Sequence, residues 1–127
     1  MKKTMVILCS VLMVLLLAAC GNKVDDATAD KYIEKATEVV NWLNEEEFEK
    51  ITAQFDETMK ANLTEAQLAE ISPIIEASGA FEEIQKQSVE EKDGMKVVVL
   101  VAKHKEEKRI YTISYDGEDK IAGLFVK

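Results

Sequence analysis

Asp93-Gly94-Met95-Lys96-Val97-Val98-Val99-Leu100-Val101 decides the fold. An Asp-Gly pair is a strong two-residue hairpin signal, because a type I′ turn needs positive φ at both central positions. The apolar run after Lys96 offers side chains to both faces of a strand, which predicts a central strand. With Asp93-Gly94 as the turn, Glu91 pairs with Lys96, Val89 with Val98 and Gln87 with Leu100.

Downstream, the same alternation recurs between turn signals. Lys105 to Lys108 reads as a charged turn, Arg109 to Tyr115 as a strand, Asp116-Gly117-Glu118-Asp119 as a turn, and Lys120 to Val126 as a closing strand. The pattern predicts a four-stranded antiparallel meander. Four-residue later turns put Val98, Leu100, Ala102, Tyr111, Ile113, Tyr115, Ala122 and Leu124 on one face. The other face then carries Val97, Val99, Val101, Ile110, Thr112, Ser114, Ile121 and Phe125. That second face is too apolar for an ordinary solvent face, so a homodimer or partner surface is expected there.

Upstream of Gly79 the period is helical. Ala29, Ile33, Ala36, Val40 and Leu43 recur at helical spacing, which predicts a first helix from about Thr28 to Leu43. Asn44 with Glu47 reads as a capping box for a second helix burying Phe48, Ile51 and Phe55. Thr64 with Gln67 reads as another, opening a third helix around Leu68, Ile71 and Ile75. Pro73 lies inside that third helix and should kink or break it. Helices followed by a meander give an α+β domain over residues 28–127, with N-terminal helices packed on the four-stranded sheet.

The start of the chain has a different character. Met1-Lys2-Lys3 precedes an apolar core from Met5 to Leu17, then Leu17-Ala18-Ala19-Cys20-Gly21. The core is too short to suit a permanent spanning helix, and small Ala18 and Ala19 suit a peptidase cut. The arrangement resembles a bacterial lipoprotein signal peptide with Leu17, Ala18, Ala19 and Cys20 as its lipobox. That resemblance implies cleavage between Ala19 and Cys20, and a diacylglyceryl group on the Cys20 sulfur, often joined by a further acyl chain such as palmitate. One acyl chain holds a protein marginally and two hold it stably. Residues 1–19 are thus read as the signal peptide and residues 20–27 as the lipidated cysteine and a short polar tether. The expected location is the extracytoplasmic side of the cell membrane, held there by the lipid. Cys9 falls within the signal and Cys20 is consumed by the anchor, so no disulfide or thiolate metal site is expected.

Charge narrows the partners. Beyond residue 19 the chain carries 14 basic and 24 acidic side chains, a balance of −10. An acidic body argues against nucleic acid, whose binding needs cations on phosphates. It also argues against a basic membrane-binding patch, leaving the lipid on Cys20 as the membrane contact.

Several stretches resemble a small bacterial family known as domain of unknown function 3887. They are Phe55-Asp56-Glu57-Thr58-Met59-Lys60 before Leu63-Thr64, Gly79-Ala80-Phe81, the Asp93-Gly94 hairpin, and Asp116-Gly117 with Lys120-Ile121-Ala122-Gly123-Leu124. The resemblance spans about residues 28–126. It implies a nuclear transport factor 2-like or cystatin-like fold, in which helices pack on a curved sheet that can enclose a pocket. Some relatives continue into an α/β-hydrolase, but this sequence has no Gly-x-Ser-x-Gly elbow, so that activity is not carried over.

Residues capable of chemistry are few. His104, the single histidine, is expected at the solvent edge, and one histidine cannot supply a paired zinc site. None of Ser72, Ser78, Ser88 or Ser114 stands in a nucleophile turn. Asp56 with Tyr32, Tyr111 or Tyr115 could serve as carboxylate base and oxyanion donor in a pocket enzyme. Asp56 reads equally well as a helix cap. The sequence thus supports a non-catalytic binding or interaction module for a protein partner or small apolar ligand, with no catalytic residue, metal ligand or cofactor. A small pocket enzyme and a module dimerising through its sheet are the alternatives.

Overall fold

The computed structural model describes residues 22–127. The signal segment, the lipobox and Cys20 lie outside the described residues. Asp93 (φ 53°) and Gly94 (φ 79°) form the expected left-handed pair, joining β2 (Phe81–Lys92) to β3 (Met95–His104). The register matches the expectation, with Glu91 opposite Lys96, Val89 opposite Val98 and Gln87 opposite Leu100. Two irregularities, between Phe81 and Glu83 and between Ile84 and Lys86, interrupt the far end of β2. β4 (Lys108–Tyr115) and β5 (Ile121–Val126) complete the antiparallel meander.

A short strand extends the sheet at its edge. β1 (Asn22–Lys23) pairs with Glu91 and Glu90 of β2, so part of the segment read as a tether is structured. α1 (Asp26–Asn44) starts earlier than its apolar periodicity suggested, because Asp25 caps it by accepting from the Thr28 amide at 3.2 Å. α2 (Phe48–Thr52), α3 (Glu57–Asn62), α4 (Glu65–Ala69) and α5 (Ser72–Ala77) follow in short steps. The Thr64–Gln67 capping box is present at α4. The third helix is broken, as expected from Pro73, into α4 and α5, with the break just before the proline. Pro73 sits in the first turn of α5, where its missing N–H breaks no helical bond.

The Asn44–Glu47 capping box does not form. Asn44 is the last residue of α1 and Glu47 makes no side-chain cap to α2. α1 closes instead on Glu46, held in the left-handed region (φ 60°), with Glu46 N bonded to Leu43 O and Glu47 N to Trp42 O. This is a Schellman end with glutamate where glycine is usual.

α1 packs across β2 and β3, and Ala36, Val39, Val40 and Leu43 meet Val98, Leu100, Tyr111 and Ile113 in the buried core. Truncating a large core side chain such as Leu43 or Leu100 to alanine costs about 2–5 kcal/mol. One side of the sheet assignment shifts. An irregularity between Ser114 and Tyr115 brings Ile121 opposite Tyr115 and Leu124 opposite Ile113. Ile121, expected on the second face, is therefore in the core, and Ala122 is only partly buried. Gln54 and Asp56 reinforce the site, since Ile121 N bonds to Gln54 O at 2.7 Å and Asp56 N to Ile121 O at 3.0 Å.

Candidate functional site

The largest change from sequence expectation concerns His104. It lies at the end of β3, yet it is 2% exposed, because the Gly79 turn and the Phe81 and Tyr111 rings pack around it. Its Nδ1 is 2.9 Å from the Gly79 carbonyl oxygen, which can only accept, so Nδ1 carries the proton. Nε2 then accepts from the Tyr111 hydroxyl at 3.0 Å. Asn44 Nδ2 donates to Val40 O at 2.8 Å and reaches Tyr111 Oη at 3.4 Å. Burial raises the Tyr111 pKa, which keeps the phenol a donor. The chain Asn44–Tyr111–His104–Gly79 thereby ties the end of α1 to two strands and to the turn before β2.

The serines do not complete a triad. Both imidazole nitrogens are engaged as described, while the buried Ser78 hydroxyl donates to Ile74 O at 3.2 Å and accepts from Arg109 Nε. Asp56 caps α3 by accepting from the Met59 amide at 2.8 Å. Tyr32 bonds to Asp119, and Tyr111 to His104. Asp56, Tyr32 and Tyr111 are thus placed on separate structural tasks, while the buried Tyr115 hydroxyl has no hydrogen-bond partner. Among the described residues no cluster of three or more His, Cys, Asp or Glu is arranged to hold a metal, and no helix is long and apolar enough to cross a membrane.

Beside the buried chain lies a cleft of about 430 Å³ between the end of α1, α5 and the Gly79–Phe81 turn. Leu43, Ile75 and Phe81 form its apolar wall, and Asn41, Asn44, Glu45, Glu46, Ser72 and Glu76 supply polar groups. Ser72 is 6% exposed and its hydroxyl has no hydrogen-bond partner. Sequence reasoning passed over this cleft because its parts are spread over four segments, and Ser72 carries no motif.

The outer face of the sheet is the second candidate. Phe125 is 68% exposed, Ile110 and Met95 are each 37% exposed, and Val97, Val99 and Val101 are half-buried beside them. By register, Lys86, Lys103, Lys108 and Lys127 share one end of this face, with Glu83 opposite Lys103. The opposite end carries Glu90 together with Lys23 and Lys92, with the turn residues Asp93, Asp116 and Glu118 beyond them in the chain.

Comparison with known proteins agrees on the fold and says little of activity. No curated protein sequence matches the chain. An NMR structure of a protein from Ruminococcus gnavus ATCC 29149 superposes with a TM-score of 0.67. It shares 24% identity and covers 80% of this chain and 90% of that one, a likeness of fold. The family described as "Protein of unknown function (DUF3887)", which carries no enzymatic assignment, matches residues 36–124, from the middle of α1 to β5. Because that match takes in the hairpin, the meander and most of the helical layer together, the chain belongs to the DUF3887 family.

Proposed function

We propose that this protein is a lipid-anchored extracytoplasmic protein, held through Cys20, whose domain is a non-catalytic interaction module acting through the outer sheet face. Two copies would meet there. The observation that carries the reading is the uncovered apolar stripe of Met95, Val97, Val99, Ile110 and Phe125, since patches of this kind are uncommon on monomers. The face runs from a lysine-rich end to an end of mixed charge, an arrangement that a second copy can complement. Rotating one face against another with strands reversed brings the lysine end of each copy over the end of its mate that holds Glu90. The anchor reading rests on the lipobox residues. A nuclear transport factor 2-like arrangement, with helices over one sheet face, suits the same geometry.

Sedimentation of residues 22–127 tests the module. Self-association is expected, and Phe125→Lys should abolish it without moving the melting midpoint, because that ring is exposed. Lys103→Glu should weaken association and Glu90→Lys in the same chain should restore it. A domain that stays monomeric at high concentration would overturn the reading.

A further inference from the structure

We propose that the β1–β2 edge of the sheet is the side of the domain that rests on the lipid bilayer. This orientation rests on the reading above of Cys20 as the anchor and of the outer face as the contact between two copies.

The first observation is the shortness of the leash. β1 is paired with β2, Val24 packs against the core, and Asp25 caps α1. The folded domain therefore begins at Asn22, and not after the polar tether that the composition suggests. Two peptide units join Cys20 to Asn22, and two extended residues span at most about 7 Å. Asn22 lies opposite Glu91 and Lys23 opposite Glu90, so this point is the corner of the sheet beside the Asp93-Gly94 turn. A lipid on Cys20 holds that corner at the headgroups. β5 stands four strand spacings away, about 19 Å.

The second observation is one of symmetry. A two-fold that stacks outer face on outer face with strands reversed runs along the line of the interstrand hydrogen bonds. It turns each strand end for end and preserves the strand order, so β1 of both copies stands on the same side of the pair. The two anchored corners fall at opposite ends of that side, separated by about the length of β3, roughly 30 Å for its ten residues. Both lipids can then enter one bilayer, with the two-fold along its normal. Two short leashes, one at each end, lay the whole β1–β2 edge along the surface, which one leash alone does not.

The edge itself suits a headgroup layer. β1 covers only Glu90 and Glu91, so from Phe81 to Ser88 no other strand pairs with this edge among the described residues. An open edge invites strands of other chains, and a side occupied by headgroups and their water is closed to them. Glu82, Glu83, Gln85, Lys86, Gln87 and Ser88 are exposed along it, while Phe81 and Ile84 pack toward the core. Both signs of charge are present, which matches zwitterionic headgroups and leaves the affinity to the lipid on Cys20.

The test is fluorescence quenching on the full chain, processed and acylated in bacterial cells and reconstituted in phosphatidylcholine vesicles that carry a headgroup quencher. Four exposed positions take a fluorophore one at a time, through Glu91→Cys, Glu82→Cys, Glu118→Cys or Glu57→Cys. Glu91 and Glu82 mark the two ends of the β2 edge, while Glu118 and Glu57 lie on the β5 side. Quenching several-fold stronger at the first pair than at the second is expected. Phe125→Lys, which separates the copies, should keep the quenching at Glu91→Cys and lose most of it at Glu82→Cys. About ten Gly and Ser residues inserted after Gly21 should level all four sites, because such a linker spans about 17 Å. Acylated protein quenched alike at all four sites overturns the orientation. So does acylated, dimeric protein quenched at Glu91→Cys alone, whose β2 edge then faces solvent, open to a partner strand. Failure of the underlying reading shows differently. A mature chain whose mass lacks acyl groups overturns the anchor, a monomer in sedimentation overturns the pairing, and the orientation falls with either.

Discussion

The Tyr32 hydroxyl, on α1, donates to Oδ1 of Asp119, in the turn before β5, while Lys31 Nζ donates to Oδ2 of the same carboxylate at 2.8 Å. Adjacent residues of one helix thus clamp the last turn of the meander. Asp119 is itself in the left-handed region (φ 61°), which an aspartate tolerates better than most side chains. The bonds from Lys31 and then Tyr32 hold the Asp119 carboxyl below the usual range. The bond to Asp119, followed by burial, pushes the Tyr32 phenol up from 10.0 to about 12.

Alkaline stability should therefore depend on Tyr32. The folded chain keeps the phenolic proton more tightly than the unfolded chain. The contribution is full below about pH 10 and is lost as pH rises through about 12. Urea midpoints measured across that window should decline less steeply in Tyr32→Phe, by on the order of 1 kcal/mol after allowance for solvent screening. Tyr111 and Tyr115, both raised by burial, add slopes of the same sign, so the difference between the two proteins is the quantity to read. Parallel slopes would show that the clamp contributes nothing.

Gly94→Val isolates backbone strain in the hairpin. A Cβ at this position meets nothing within 4 Å, so any loss comes from forcing a β-branched residue to φ 79°. A destabilisation of roughly 1–3 kcal/mol is expected. Gly79→Ala should cost more at similar φ, because its Cβ would lie 2.9 Å from Lys105 Cβ as well. Equal melting midpoints for wild type and Gly94→Val would contradict the turn.

Tyr111→Phe should strand His104. Removing the hydroxyl leaves Nε2 buried without its donor, a loss of about 1–3 kcal/mol. In a double-mutant cycle with His104→Leu, the two changes should be clearly non-additive, with a coupling of about 1 kcal/mol. Additive effects would mean that the bond adds nothing beyond packing.

Cys20→Ser removes the thiol that the anchor reading requires. The protein should leave the membrane fraction or accumulate unprocessed, and metabolic labelling with palmitate should fall to background. Processed, firmly membrane-bound protein after the substitution would exclude lipidation at this residue.

The order of elements could be read from local pattern, because helix caps, turns and strand alternation are properties of neighbours in the chain. Asp93-Gly94 set the β2–β3 register through backbone conformation alone, and Thr64 with Gln67 announced α4 by reciprocal hydrogen bonds. Where alternation could be broken without a local signal, the reading failed. The irregularity between Ser114 and Tyr115 was marked only by Gly123 in the facing strand, and it moved Ile121 from the outer face to the core.

The same division separates what each level determined about function. The lipobox-like run before Cys20, the acidic balance and the shortage of nucleophiles and metal ligands are legible in the sequence by itself, since each depends on residue identity or near spacing. The burial of His104, its bond to Tyr111 and the cleft holding Ser72, Asn44 and Glu76 were decided by tertiary structure alone. Those groups come from α1, α5 and two strands, and their meeting depends on how helices cross a twisted sheet. No local periodicity encodes that crossing, so a residue that reads as a solvent-edge histidine can sit, fully bonded, in the core.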